Sequence, residues 1–162
     1  MNLQNQLEEK LPIEDLRHET ALNIVRTGNL MAAKASQLFR AFDLTEAQFN
    51  VLLALSTGNG DVTQAELGKR LVVTRASITS VLDKLEGKGL VERKKVAGNR
   101  RIHHVGLTPP GVELFEKVLP LYREEIHDVL ANLSDVDCRA LIEKLEKTRA
   151  RVRQMLTPGN GA

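Results

Sequence analysis

Residues 63–108 read TQAELGKRLVVTRASITSVLDKLEGKGLVERKKVAGNRRIHHVGLT, and this stretch decides the fold. Thr63-Gln-Ala-Glu66 is a capping box, in which a threonine side chain and a glutamate three residues on exchange hydrogen bonds with each other's backbone amides. The helix it opens is short and ends at Leu71. Val72-Val73 form a tight link, and Thr74 caps a second helix through about Glu86, stopped by Gly87 and Gly89. Leu90–Val96 is a β-branched, charge-flanked strand, Ala97-Gly-Asn99 a turn, and Arg100–Leu107 the returning strand. The order is helix, tight turn, helix, basic hairpin. Two short strands are not stable alone, so the hairpin must lean on the helices before it.

The same stretch holds the basic excess of the chain. It carries ten Lys/Arg against four Asp/Glu, a net charge of +6, while residues 1–62 carry −3 and residues 109–162 carry −1. The whole chain of 162 residues therefore reads only +2. A like-signed patch on one compact unit is the electrostatic footprint of a polyanion binder, although a solvated basic surface gives the same sum.

Upstream, the pattern predicts one long helix from after Pro12 to about Phe42, with Leu22, Val25, Ala32, Ala35, Phe39 and Phe42 as its apolar stripe. Gly28-Asn29 is a place for a bend. A helix of about thirty residues spans roughly 45 Å, more than a domain of this size needs for its own core. Thr45-Glu-Ala-Gln48 is another capping box, and its helix ends at Thr57-Gly-Asn-Gly60. Downstream, Thr108-Pro-Pro-Gly111 opens a helix whose phase continues across Pro120, so a kink is expected there and not a break. Ser134-Asp-Val-Asp137 has the form of a last N-cap. Behind it Cys138, Leu141, Leu145, Thr148, Val152 and Met155 make a heptad seam of the kind that packs helix on helix.

Gln64–Leu71, Val73–Val91, Asn99-Arg-Arg101 and Leu107-Thr-Pro-Pro-Gly111, with the flanking Leu44–Phe49 and the long helices on either side, together resemble the MarR family of bacterial regulators over about residues 15–156. The fold class expected is mainly α with a small β-hairpin wing, a winged helix-turn-helix plus long dimerisation helices. The resemblance implies a single MarR-like domain over 1–162, with 1–43 and 109–156 as dimerisation helices and 44–108 as the DNA-binding region. It also implies an obligate homodimer that presents two winged helices to a pseudopalindromic operator in double-stranded DNA. A small aromatic or anionic effector is expected where the dimer helices meet the winged helix, with no resident cofactor. Independently, the long first helix and the heptad seam both ask for a partner.

At 100° per residue, Ile78, Val81, Leu82 and Leu85 form the buried face of the second helix, and Ala76, Ser80 and Asp83 point away from it. That outer face is small and polar, as close approach to a major-groove floor requires. Arg75, Ser77, Thr79 and Ser80 are therefore expected in the groove, with Arg75 able to reach a guanine edge or a phosphate, and Lys84 on the backbone. Asp83 has two readings, accepting from a cytosine amino group or orienting a neighbouring arginine. Thr63 and Thr74 are caps whose helix N-termini can also hold a phosphate. In the wing, Arg100 and Arg101 suit a narrow minor groove. The family usually has Asp where this chain has Asn99, which removes an ionic partner for one of the two arginines.

Other chemistry finds no footing. His103 and His104 are strand neighbours with opposite side-chain directions, and one cysteine supplies neither a disulfide nor a thiolate zinc site. Five aromatics and no Trp argue against a base-stacking platform. No Gly-rich phosphate loop or nucleophile–base spacing emerges, so neither an enzyme nor a metal site is expected. The N-terminal MNLQNQLEEKLP lacks an apolar segment, and the longest apolar run is Val51–Leu55, so the expectation is a cytoplasmic protein that makes no membrane contact. The competing reading is a winged-helix protein–protein adaptor without DNA binding, against which the basic wing argues.

Overall fold

The computed structural model describes residues 15–57, 62–71, 75–96 and 99–156. In chain order these form α1 (Leu16–Arg40), α2 (Glu46–Ser56), β1 (Val62–Thr63), α3 (Gln64–Leu71), α4 (Arg75–Gly87), β2 (Val91–Val96), β3 (Asn99–Leu107), α5 (Pro109–Val129) and α6 (Asp135–Leu156). The chain divides into two compact units, one up to Arg123 and one from Glu124 onward.

In the first unit, α1 starts where the Asp15 carboxylate accepts from the Arg17 amide, and it runs unbroken through Gly28-Asn29. Its end is tied down by Lys88, whose ammonium pairs with the Asp43 carboxylate at 3.0 Å and donates to the Asp43 carbonyl. Asp43 has φ +53°, a left-handed conformation that Asp tolerates better than most residues. The Thr45 capping box forms as the sequence predicts: the Thr45 amide donates to Gln48 Oε1 at 2.9 Å, and the Gln48 amide donates to Thr45 Oγ1 at 3.2 Å.

Four of the five aromatics form one cluster of rings, and the fifth, Phe42, packs half-buried against the core. Phe39 and Phe49 stack with centroids 4.4 Å apart, and Phe49 also meets Phe115 at 6.0 Å and Tyr122 at 5.0 Å. This cluster fastens α1 and the first part of α5 to α2. The rest of the core lies beneath the winged helix, where Leu67, Ile78, Leu82, Leu85, Val62, Val91 and Val105 are all buried.

The sheet differs from the expected hairpin by one strand. Its order is β1-β3-β2, with Val62 opposite Val105 and Thr63 opposite His104. The two residues of β1 are too few to show alternation, so the pattern gave only the helix cap at Thr63. Strand β2 pairs antiparallel with β3 from Val91 opposite Leu107 to Lys95 opposite His103, and the register shifts before Val96 meets Asn99.

Helix α5 begins against the wing. The Thr108 hydroxyl donates to the Gly89 carbonyl at 2.5 Å and accepts from the Gly111 amide at 3.2 Å. A Cβ on Gly111 would sit 2.0 Å from the Leu90 carbonyl oxygen, so only glycine fits. The helix continues through Pro120 without a break, as its phase predicts.

In the second unit, Ser134 caps α6. Its amide and hydroxyl both donate to Asp137 Oδ2, at 3.0 and 2.6 Å, and its hydroxyl accepts from the Asp137 amide at 3.2 Å. No residue of α6 is buried. On the expected seam Leu141, Val152 and Met155 are 46%, 48% and 72% exposed, and Cys138 is half-buried.

Candidate nucleic-acid interface

Helix α4 carries Ser77, Thr79, Ser80 and Lys84, and Thr63 ends β1 immediately before α3. On α4 the buried face is Ile78, Leu82 and Leu85, with half-buried Val81 packed against the core. Opposite it Ala76, Ser77, Ser80, Asp83 and Lys84 are exposed, and Ala76, Thr79, Ser80, Asp83 and Lys84 line one shallow open trough. Small side chains on this face leave the helix backbone free to approach a groove floor.

Several of the selected residues are already engaged. Thr79 is half-buried and its hydroxyl accepts from the Gln64 side-chain amide at 2.5 Å, which ties α4 to α3. Thr63 donates its amide and its hydroxyl to Glu66 Oε2 at 2.9 and 2.7 Å, and accepts from the Glu66 amide. These bonds from Thr63, with the Arg70 and His104 charges nearby, hold the Glu66 carboxyl below the usual carboxylate range. Thr63 thus serves the fold first. Arg75 begins α4, and Arg100 and Arg101 follow Asn99 along β3; their side chains lie outside the described residues, as does Thr74.

Three cations escaped the sequence reading. Arg40 and Lys88 share a groove of about 400 Å³ with Lys84, between the end of α1 and the end of α4. Arg93, on β2, forms ion pairs with Asp83 at 2.7 Å and Glu86 at 2.6 Å. Of the two readings of Asp83, this geometry selects the orienting of an arginine. Nothing local in the sequence marks a role for any of the three, since each finds its neighbours only after folding. Among the described residues there is no group of His, Cys, Asp and Glu suited to a metal ion, and no helix is long and apolar enough to cross a membrane.

Comparison with known proteins agrees with this geometry. The MarR family model matches residues 42–102. The transcriptional repressor MprA of Escherichia coli K12 is 30% identical over 125 residues, which is 76% of this chain and 71% of that protein. S. aureus MepR, solved in complex with DNA, aligns with a TM-score of 0.78 and 25% identity over 82% of this chain and 97% of its own. The transcriptional regulator BldR of Sulfolobus solfataricus gives a TM-score of 0.74 and 27% identity over 87% of this chain and 99% of its own. The chain belongs to the MarR family of winged helix-turn-helix transcriptional regulators.

Proposed function

We propose that this protein is a sequence-specific, ligand-responsive repressor that binds double-stranded DNA as a homodimer. The observation that carries the reading is the outer face of α4, small and polar at Ala76, Ser77 and Ser80, set beside a wing whose strand β3 opens with Asn99-Arg-Arg101. MepR, similar to this chain along nearly its whole length, is solved on DNA, and MprA is a repressor. In this reading residues 44–108 read the DNA, while 1–43 and 109–156 hold the dimer. Arg75, Ser77, Thr79 and Ser80 enter the major groove, Lys84 meets the backbone, Thr63 and Thr74 present helix N-termini to phosphates, and Arg100 and Arg101 serve the minor groove.

The dimer is supported by the apolar side chains left exposed on α1 and α6, among them Val25, Leu30, Leu141, Ile142 and Val152. Burial in a partner's matching face is the ordinary fate of such surface in obligate dimers. Regulation follows if a small aromatic or anionic molecule favours one spacing of the two α4 helices over another. The relatives are regulators and not enzymes, so no catalytic step is assigned, and the cytoplasm, where DNA is met, is the proposed location. None of the relatives described above speaks for the adaptor reading.

Selection of bound fragments from genomic DNA, followed by footprinting, tests this. The expected footprint is a pseudopalindrome whose two protected major grooves lie about 10 base pairs apart. Recovery of fragments without a shared sequence would overturn sequence-specific binding.

A further inference from the structure

Strand β2 carries a charged residue on the face where its neighbours are apolar. Side chains alternate along a strand, so Val91 and Arg93 share a face. Val91 is 2% exposed, and Arg93 lies opposite Val105, which is fully buried and also faces Val62. The Arg93 side chain is only 19% exposed. From there it reaches out to α4: Nη1 donates to Glu86 Oε2 at 2.6 Å, Nη2 donates to Asp83 Oδ1 at 2.7 Å, and Nη2 lies 3.5 Å from the Thr79 carbonyl. Asp83 and Glu86 stand three residues apart, hence on one face of the helix. One planar guanidinium spans both, a geometry that the single point charge of lysine does not reproduce.

Asp83 and Glu86 are 59% and 42% exposed, and ion pairs with partners this open add little stability. What the fork fixes is direction. We propose that Arg93 is a positioning residue: by gripping Asp83 and Glu86 it sets the angle between the wing and α4, so that the two DNA-reading elements engage as one piece. The proposal rests on the DNA-binding reading.

Its test exploits opposite signs. Replacing Asp83→Asn and Glu86→Gln together removes two negative charges beside the DNA face, and electrostatics alone then gives tighter binding. The clamp predicts the reverse, about tenfold weaker binding to a duplex recovered by genomic selection, with little change on a scrambled duplex. Tighter binding to the selected duplex would overturn the proposal. Arg93→Lys keeps the charge and loses the fork, and is expected to weaken binding in the same direction; wild-type affinity in that variant would likewise count against the clamp. Adding Arg100→Ala and Arg101→Ala to the Asp83→Asn, Glu86→Gln pair is expected to cost less than it costs the wild type, because the loosened wing has already lost contacts; full additivity contradicts this.

A last arm needs no DNA. In the free protein, amide exchange along β2 and β3 is expected to quicken about fivefold or more in the Asp83→Asn, Glu86→Gln variant at an unchanged thermal midpoint. Unchanged exchange overturns the clamp. If the wild type selects no duplex at all, it is the DNA-binding reading that fails, and the exchange arm still decides whether Arg93 holds the wing.

Discussion

At the scale of single residues, what is legible in a sequence depends on how far apart the interacting groups lie along the chain. The three capping boxes, Thr45–Gln48, Thr63–Glu66 and Ser134–Asp137, are all contacts between residues i and i+3, and the structure forms each of them. Arg93 was not legible, because its partners lie seven and ten residues away and meet it only when the wing folds onto α4. Gly111 belongs to the same class: the Thr-Pro-Pro-Gly motif announced a helix start, but not the Leu90 carbonyl against which the helix is pressed. Gly111→Ala is therefore expected to destabilise by about 1–3 kcal/mol in urea unfolding, since the obstacle is backbone and cannot rotate away. An unchanged midpoint would mean that the start of α5 shifts freely. Under the DNA-binding proposal, Arg75→Ala is expected to cost about 1–3 kcal/mol of specific affinity and to relax one base position; equal losses on operator and scrambled duplexes would reduce Arg75 to a phosphate contact.

At the scale of elements, helices were legible because a stripe of apolar residues repeats over many turns, and their ends because caps are local. The strand β1 was not, since two residues carry no period, and it exists only because β3 offers it an edge. The caps bring a pH dependence whose sign is fixed. Hydrogen bonds from Ser134 lower the Asp137 carboxyl below its ordinary value of 3.8, and those from Thr63 lower Glu66 below 4.5. A depressed carboxylate stabilises the folded state above its unfolded pKa, and this contribution is lost as the pH falls through the lower, folded value. The first turns of α3 and α6 are thus expected to fray as the pH drops below about 4, followed by amide exchange at those turns, and Ser134→Ala should remove the effect from α6 alone. Persistence of the acid dependence at α6 in that variant would assign it to another group. Thr45→Ala should cost about 1 kcal/mol in thermal unfolding, since it takes the acceptor from the Gln48 amide, while the Gln48 side chain keeps the backbone amide of residue 45.

At the scale of the whole molecule, the charge ledger and the exposed apolar faces point the same way. The basic excess of residues 63–108 lies on the winged helix, and the seam of α6 is left open by its own chain. The seam was legible as a heptad, but the identity of its partner is not written in one chain, because a self-complementary face looks the same as any apolar one. Under the dimer proposal, Leu141→Glu with Val152→Glu is expected to give a folded monomer in sedimentation analysis, with specific DNA affinity lost; a dimer in that variant would move the interface elsewhere. The effector is legible at no scale, as no cluster of side chains among the described residues selects one chemistry. The central claim is that two copies of this winged helix read one DNA site. It is tested most directly by fluorescence anisotropy at physiological salt, titrating the protein onto a duplex recovered by genomic selection and onto its scrambled counterpart. The account predicts saturation at two chains per duplex and a preference of about a thousandfold for the selected sequence. Equal affinity for both duplexes, or saturation at one chain, would contradict it.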